Sequence, residues 1–237
     1  MTPLLEIDGL PAHYDKSHIL HGVSLKVGPG EIVSLLGRNG SGRSTTLKTI
    51  MGIVPPTGGR VLLAGEDVAG KRAFRIARSG IAFVPEEREI FANITVDENM
   101  RIGVQPPREG VAAWTMDQMY AFFPQLKDRK DTAAGMLSGG EQQMLTMCRA
   151  LLGNPRVILI DEPTEGLAPK IVEVVTDMIR EICKQGISVL LVEQKLTVAM
   201  RVSSRVYVMG HGQTVFEGSP DDLRNAPEVR RDWLEVN

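Results

Sequence analysis

An apolar run that ends on two carboxylates constrains this chain more than any other feature in it. Val157-Ile158-Leu159-Ile160 leads directly into Asp161-Glu162-Pro163-Thr164. Four apolar residues in succession read as a strand buried on both faces, as in a parallel sheet covered by helices. Such a strand delivers Asp161 and Glu162 to its C-terminal edge, where magnesium and an attacking water can sit. Upstream, Leu137-Ser138-Gly139-Gly140-Glu141-Gln142-Gln143 opens a helical pattern over 140–153, with Met144, Leu145, Cys148, Leu151 and Leu152 on one face. A Ser-Gly-Gly turn at a helix start presents a hydroxyl and free backbone N–H groups at the positive end of the helix dipole, which suits phosphate. On its own this would be an ordinary helix-start turn. The acidic strand that follows gives it a chemical partner.

A second phosphate device lies nearer the N-terminus. Glu31–Leu36 reads as a strand, Gly37-Arg38-Asn39-Gly40-Ser41-Gly42-Arg43-Ser44-Thr45 as a glycine-rich loop, and the apolar positions Leu47, Ile50 and Met51 as the face of a helix. Strand, loop and helix in that order form the context of a P-loop, whose glycines let successive N–H groups turn inward around phosphates. Ser44 is placed to hold magnesium and Thr45 to reach an inner phosphate. The spacing fits the P-loop everywhere except at Arg43, where lysine is expected. Arginine keeps the positive charge but is planar, forked and larger. In a loop wrapped tightly on phosphate, its guanidinium is either forced out or binds in a shifted geometry. This favours nucleotide binding over full-rate hydrolysis.

The 237 residues are enough for one domain, or a domain with a subdomain. A net charge of -2 argues against a broad nucleic-acid surface. No apolar run is long enough to span a bilayer, and the N-terminus carries no signal-peptide pattern, so a cytoplasmic protein is expected. Cys148 and Cys183 lack metal spacing and read as reduced thiols. The histidines at 13, 18, 21 and 211 read as unclustered surface or turn residues. Leu4–Asp8 and Ile19–Val27 predict early antiparallel strands, with Arg60–Leu63 a third. Further strands are predicted at Ile81–Val84, Val157–Ile160, Ile187–Val192 and Arg205–Met209, alternating with helices as in an α/β fold. About 88–136 has little strand character and reads as a helical insertion, including Thr95–Val104 and an amphipathic run from Val111 to Phe123. Lys127–Asp131 reads as a solvated connector. Met116, Met119, Met144 and Met147 read as core filler. The stretch from Gly218 onward predicts two short helices divided near Pro227.

Taken together, these motifs resemble those of ATP-binding cassette (ABC) ATPases: Ser138-Gly139-Gly140 matches their signature motif and Val157–Glu162 their acidic strand. The resemblance covers about Leu4 to Leu234. It implies that Tyr14 stacks on adenine, that Glu86 of Val84-Pro85-Glu86 stands at the Q-loop, and that Gln194 stands at the switch position usually held by histidine. Gln194 can donate to a γ-phosphate and accept from a carboxylate, but cannot become a cation. Glu165-Gly166-Leu167-Ala168-Pro169 stands at the D-loop. Val-Pro-Glu, Gly-Leu-Ala-Pro and Val-Glu-Gln together are most similar to the ATP-binding subunits of branched-chain amino-acid importers. Arg43 departs from that subfamily too, and Lys195 replaces a commonly seen asparagine.

The resemblance implies one ABC ATPase domain over 1–237: a P-loop NTPase with a RecA-like α/β core, an antiparallel β subdomain and a helical subdomain at about 88–136. It implies ATP and Mg2+ as cofactors. Gly37, Asn39, Gly40, Ser41, Gly42, Arg43, Ser44 and Thr45 would cradle ATP, and Ser138, Gly139 and Gly140 would act across a head-to-tail dimer. Ser44, Asp161 and Glu86 would manage magnesium. Glu162, with Gln194 and Glu86, would carry the chemistry by positioning and charge stabilisation. The implied partners are a second ATPase subunit, in a homodimer or heterodimer, two membrane permease subunits and, indirectly, an external solute-binding protein. The cassette would lie on the inner face of the cell membrane. Branched-chain amino acids are the expected solutes, with urea or short amides as the alternative. Rival readings are a subunit that binds ATP but hydrolyses it slowly, a non-transport ABC protein, and, last, a P-loop kinase or GTPase, in which Leu137–Gln143 would have no role.

Overall fold

Three strands are buried along their whole length: β3 (Ile32–Gly37), β7 (Val157–Asp161) and β8 (Ser188–Val192). Their largely apolar sequence follows from being covered on both faces. The computed structural model describes residues 2–108 and 113–235. Before β3 come β1 (Leu5–Tyr14) and β2 (Ser17–Val27). After it come α1 (Arg43–Ile50), β4 (Arg60–Leu63), β5 (Glu66–Asp67), α2 (Ala73–Ser79) and β6 (Ile81–Val84). A helical stretch follows, with α3 (Val96–Gly103), α4 (Met116–Phe122), α5 (Pro124–Asp128), a 3-10 turn at Ala134–Met136 and α6 (Gly139–Leu151). β7 leads to α7 (Pro169–Lys184), β8, α8 (Leu196–Val202), β9 (Arg205–Gly210) and β10 (Gln213–Gly218). The chain closes with α9 (Pro220–Arg224) and α10 (Pro227–Trp233).

The larger sheet has the order β10-β9-β3-β8-β7-β6, parallel except for β10 at its edge. Because β3, β8 and β7 are parallel neighbours, the loops that leave their C-terminal ends open on one edge of the sheet, the usual place for a ligand in such folds. The smaller sheet, β2-β1-β4-β5, is antiparallel. One apolar cluster joins it to α1 and to one face of the larger sheet through residues such as Leu5, Leu20, Leu47, Val61 and Leu159. A second cluster joins the other face to α6, α7 and the helical stretch through Phe123, Leu145, Ile158, Ile179 and Leu191.

Several sequence expectations change here. β1 runs on past Asp8 to Tyr14 because bulges between Ile7 and Leu10 and between Ala12 and His13 let it keep pairing with β2. The edge strand β10 has no counterpart in the sequence reading; its residues alternate between exposed and half-buried, so no apolar face marks it. The histidines do cluster: the His13 and His18 rings stack with centroids 4.0 Å apart, and His21 lies 4.0 Å from His18. The β1–β2 pairing brings them together, which linear spacing cannot show. Of the amphipathic run from Val111, residues 111 and 112 lie outside the described residues, and the helix begins at Met116 behind a Thr115–Gln118 capping box. Lys127–Asp131 is more than a solvated connector. α5 covers its first part, and Arg129 reaches Glu141 at 3.2 Å.

That contact supports the start of α6. The Ser138 hydroxyl accepts from the Glu141 N–H, and the Glu141 carboxylate accepts from the Ser138 N–H at 2.7 Å, a reciprocal cap. Burial raises the Glu141 carboxyl, but the hydrogen bonds from Ser138 and the Arg129 charge outweigh it and hold the group below the ordinary 4.5. A carboxyl depressed in the folded state contributes stability that is complete above pH 4.5 and is lost as pH falls through the folded value. Glu141→Ala should therefore cost about 1 kcal/mol near neutral pH. In denaturant melts that difference should close as the pH is taken down to about 3. A difference that stays constant over this range would show that the carboxylate charge is not its source.

Candidate functional site

The loop between β3 and α1 is shaped by its glycines. Gly42 precedes α1 with φ +102, and a Cβ there would come within 2.8 Å of the Leu20 side chain. Gly37 leaves β3 with φ +154, and a Cβ would meet Ser41 Oγ at 2.6 Å. A side chain at either place would push the loop off the sheet. Among the described residues, the amides of Gly40, Gly42, Arg43, Ser44 and Thr45 make no hydrogen bond to other groups of the chain. Three of them belong to the first turn of α1, at the positive end of its dipole. Ser41 Oγ is buried and without a partner. This cradle of free donors matches the chemistry of nucleotide phosphates.

Facing the cradle are the ends of β7 and β8. A cavity of about 290 Å³ is lined by residues 39–45 together with Glu86, Glu162 and Glu165. Asp161, the last residue of β7, accepts a hydrogen bond from the Ser44 hydroxyl at 3.0 Å. Burial pushes its carboxyl up to about 6, against the pull of that hydrogen bond. Glu162 turns out of the strand with φ 44, in the left-handed region, while its N–H bonds to Val192 O at 2.9 Å. A non-glycine residue held there is strained, and such strain collects at functional sites. The turn aims Glu162 back across the cavity. Burial, with the neighbouring Glu165 carboxyl, pushes Glu162 up to about 7, and the charge of Arg43 opposes the shift.

Arg43 does not project into open space. Its side chain is only 4% exposed, and Nη2 meets Glu162 Oε1 at 2.8 Å. Nη2 also donates to Asn39 Oδ1 at 3.2 Å, and Nη1 to the Glu193 carbonyl at 3.2 Å. Neither geometry expected for an arginine in this loop describes this one: the guanidinium is buried, but on Glu162, Asn39 and the Glu193 carbonyl. Gln194 follows β8 and donates to Asn39 Oδ1 at 3.1 Å, so one asparagine oxygen joins the loop to the end of β8.

Two residues that the sequence marks only as part of a subfamily pattern, Glu193 and Lys195, prove to support the site. Glu193 is buried, accepts from Thr164 Oγ1 at 2.8 Å and caps the amides of Gln194 and Lys195 at 2.9 Å each. Burial raises its carboxyl. Lys195 Nζ donates to the Thr164 carbonyl at 2.9 Å. Beyond that pattern, their only signal is position directly after an apolar strand.

The loop residues, Asp161, Glu162, Glu86 and Gln194 thus gather on one edge of the sheet. Ser138, Gly139 and Gly140 do not line the cavity, nor does Tyr14, which is 46% exposed at the tip of the β1–β2 hairpin. The Ser138 oxygen accepts from the Glu141 N–H in the cap, while Gly139 and Gly140 carry first-turn amides of α6. For a divalent ion, the Ser44 hydroxyl and the Asp161 carboxylate supply hard oxygen donors. Among the described residues no three His, Cys, Asp or Glu side chains form a metal cluster. That suits Mg2+, which takes one or two protein ligands and fills its shell with phosphate oxygens and water.

Comparison with known proteins agrees with this geometry. The sequence profile of the ABC transporter family matches residues 20–165. The chain is 38% identical over 231 residues to the high-affinity branched-chain amino acid transport ATP-binding protein BraG of Pseudomonas aeruginosa, covering 98% of this chain and 99% of that one. It is 35% identical over 215 residues to a probable branched-chain amino acid transport ATP-binding protein of Archaeoglobus fulgidus, covering 90% and 91%. It is also 31% identical over 237 residues to the lipopolysaccharide export system ATP-binding protein LptB of Haemophilus influenzae, covering 98% and 97%. Among solved structures, a nucleotide-free ATP-binding cassette from an ABC transporter superposes with a TM-score of 0.82 at 26% identity, covering 96% of each chain. Another cassette, in its ADP conformation, gives a TM-score of 0.81 at 26% identity, covering 98% and 97%. The chain belongs to the ABC transporter ATP-binding family, and it is an ABC-type ATPase.

Proposed function

We propose that this chain is the ATP-binding subunit of an importer for branched-chain amino acids, working from the inner face of the cell membrane. The observation that carries the reading is near-full-length similarity, at 38% identity, to a protein named for that transport. The glutamine at 194 and the glutamate at 86 add the subfamily pattern noted in the sequence. Among the described residues no helix is long and apolar enough to cross a membrane; in this reading the membrane passage belongs to permease subunits, as the transport ATP-binding relatives suggest. The chain would pair with a second ATPase subunit, identical or not, and an external solute-binding protein would deliver the solute. Export is the second reading, favoured by the 31% identity to LptB. Vesicles holding this chain with the permeases encoded beside it should take up labelled leucine when ATP is supplied inside. Uptake of urea or short amides instead would move the solute class, and failure of all uptake would favour export.

In this reading the free amides of the loop hold the phosphates, Ser44 and Asp161 hold Mg2+, and Glu86 lies within reach of its shell. Bound Mg2+ would neutralise charge on the phosphates. Glu162 orients the attacking water and accepts its proton, and Gln194 steadies the outer phosphate. Ser138, Gly139 and Gly140 face the ATP of the partner subunit, which agrees with their absence from this chain's own cavity lining.

Glu162→Gln should abolish turnover while ATP binding persists. An assay at saturating ATP that gives the parental rate would assign the role elsewhere. Arg43 keeps a cation near the phosphates but places it differently from lysine. Loss of one well-aimed electrostatic group costs about 10²–10³ in rate, and a displaced one somewhat less. Arg43→Lys should therefore raise the turnover rate at least roughly tenfold, with a smaller gain in affinity. Equal rates at saturating ATP would mean that the loop has adapted fully to arginine.

A further inference from the structure

The phosphate cradle and its cation face different ways. The loop amides and Ser41 Oγ find no partner within the chain, so the cradle's donors are all available to a ligand. Its one buried cation is already committed elsewhere. The Arg43 and Glu162 side chains are 4% and 8% exposed and lie 2.8 Å apart, the only buried ion pair among the described residues. Asn39 Oδ1 and the Glu193 carbonyl complete the hold on the guanidinium. Arg43 thus ties the loop after β3 to the ends of both β7 and β8. A lysine, with a single ammonium, could not reach these acceptors from two separate nitrogens.

We propose that the Arg43–Glu162 pair is a latch opened by phosphate: the guanidinium holds the water-orienting carboxylate until a nucleotide's phosphates take the guanidinium from it. The proposal rests on the nucleotide reading above and adds a competition that the reading does not require. A buried charge that loses its partner is strongly disfavoured. Arg43 therefore leaves Glu162 only when another anion is at hand, and phosphate on the adjacent amides is that anion. Glu162 is freed in the same step, and its carboxylate exchanges the guanidinium for the water it orients, so neither charge is left without a partner. The left-handed turn at Glu162 and its N–H bond to Val192 keep the carboxylate beside the cavity once it is released. Arg43 is in this sense a positioning residue: in the empty chain it keeps Glu162 from acting on water, and it gives up that hold only to the substrate class the site serves.

A competition of this kind is read by a double-mutant cycle. ADP binding is measured by calorimetry on the full chain in four forms: parent, Glu162→Gln, Arg43→Met, and both together. ADP avoids hydrolysis, and a simple loss of negative charge at 162 should affect both backgrounds alike. The latch predicts that Glu162→Gln tightens ADP binding about tenfold or more with Arg43 present, because the guanidinium loses its charged partner and keeps only neutral acceptors. It predicts a change several times smaller in the Arg43→Met background. Equal effects in the two backgrounds would overturn the latch while leaving the nucleotide site intact. No ADP binding in any form would overturn the nucleotide reading and the latch with it. Should Arg43→Met fail to fold, 15N spectra of the arginine side chains in the parent and in Glu162→Gln decide the matter. Hindered guanidinium rotation at Arg43 in the empty parent, released in Glu162→Gln, is the expected result. Free rotation in the empty parent would refute the latch.

Discussion

The C-terminal edge of β3, β8 and β7 is the constraint from which everything else in this molecule follows. The three strands are buried along their length and run parallel as neighbours. Their ends therefore cannot shift relative to one another without exposing a row of Val, Ile and Leu side chains from each, a penalty of roughly 1.5–3 kcal/mol per side chain. The glycine loop, the Asp161–Glu162 pair and the Glu193–Gln194 pair each follow one of these strands. Their placement is rigid because the sheet core is rigid, and the site inherits its precision from the packing beneath it.

On this edge the charges are unbalanced. Asp161, Glu162 and Glu193 are all buried, and burial raises the proton affinity of each. Glu193 spends its carboxylate on Thr164 and two backbone amides, and Asp161 accepts from Ser44. Only Glu162 is offset by a full buried cation. The site is thus built to receive positive charge beside Asp161 and negative charge at the loop amides, which is the charge pattern of a metal–polyphosphate pair.

Much of this is legible in the sequence because the relevant signals are local. Apolar runs flag β3, β7 and β8, the glycine spacing flags the loop, and the Ser138-Gly139-Gly140 turn flags the start of α6. What stays hidden depends on tertiary placement. The pairing of Arg43 with Glu162 is not posed by the sequence at all, because the two lie 119 positions apart in the chain. The histidine stack on β1 and β2 arises from cross-strand register and bulges, which spacing along one strand does not encode. In sequence Glu193 is a spacer between an apolar strand and Gln194. Only its buried bonds to Thr164 and the following amides reveal it as the support of that turn.

Asn39 shows how these layers combine. Its side-chain oxygen accepts from Arg43 at 3.2 Å and from Gln194 at 3.1 Å. In sequence it is one more loop residue between Arg38 and Gly40. In the fold it is the point where the glycine loop, the cation and Gln194 share one acceptor. An amide oxygen has lone pairs for both donors and carries no charge that would compete with phosphate. An aspartate there would hold Arg43 more tightly and repel the ligand, and a serine would lack the reach. The neutral acceptor lets Arg43 be held without being trapped. It also leaves Gln194 coupled to whatever the guanidinium does, so that movement of the loop cation is felt at the end of β8.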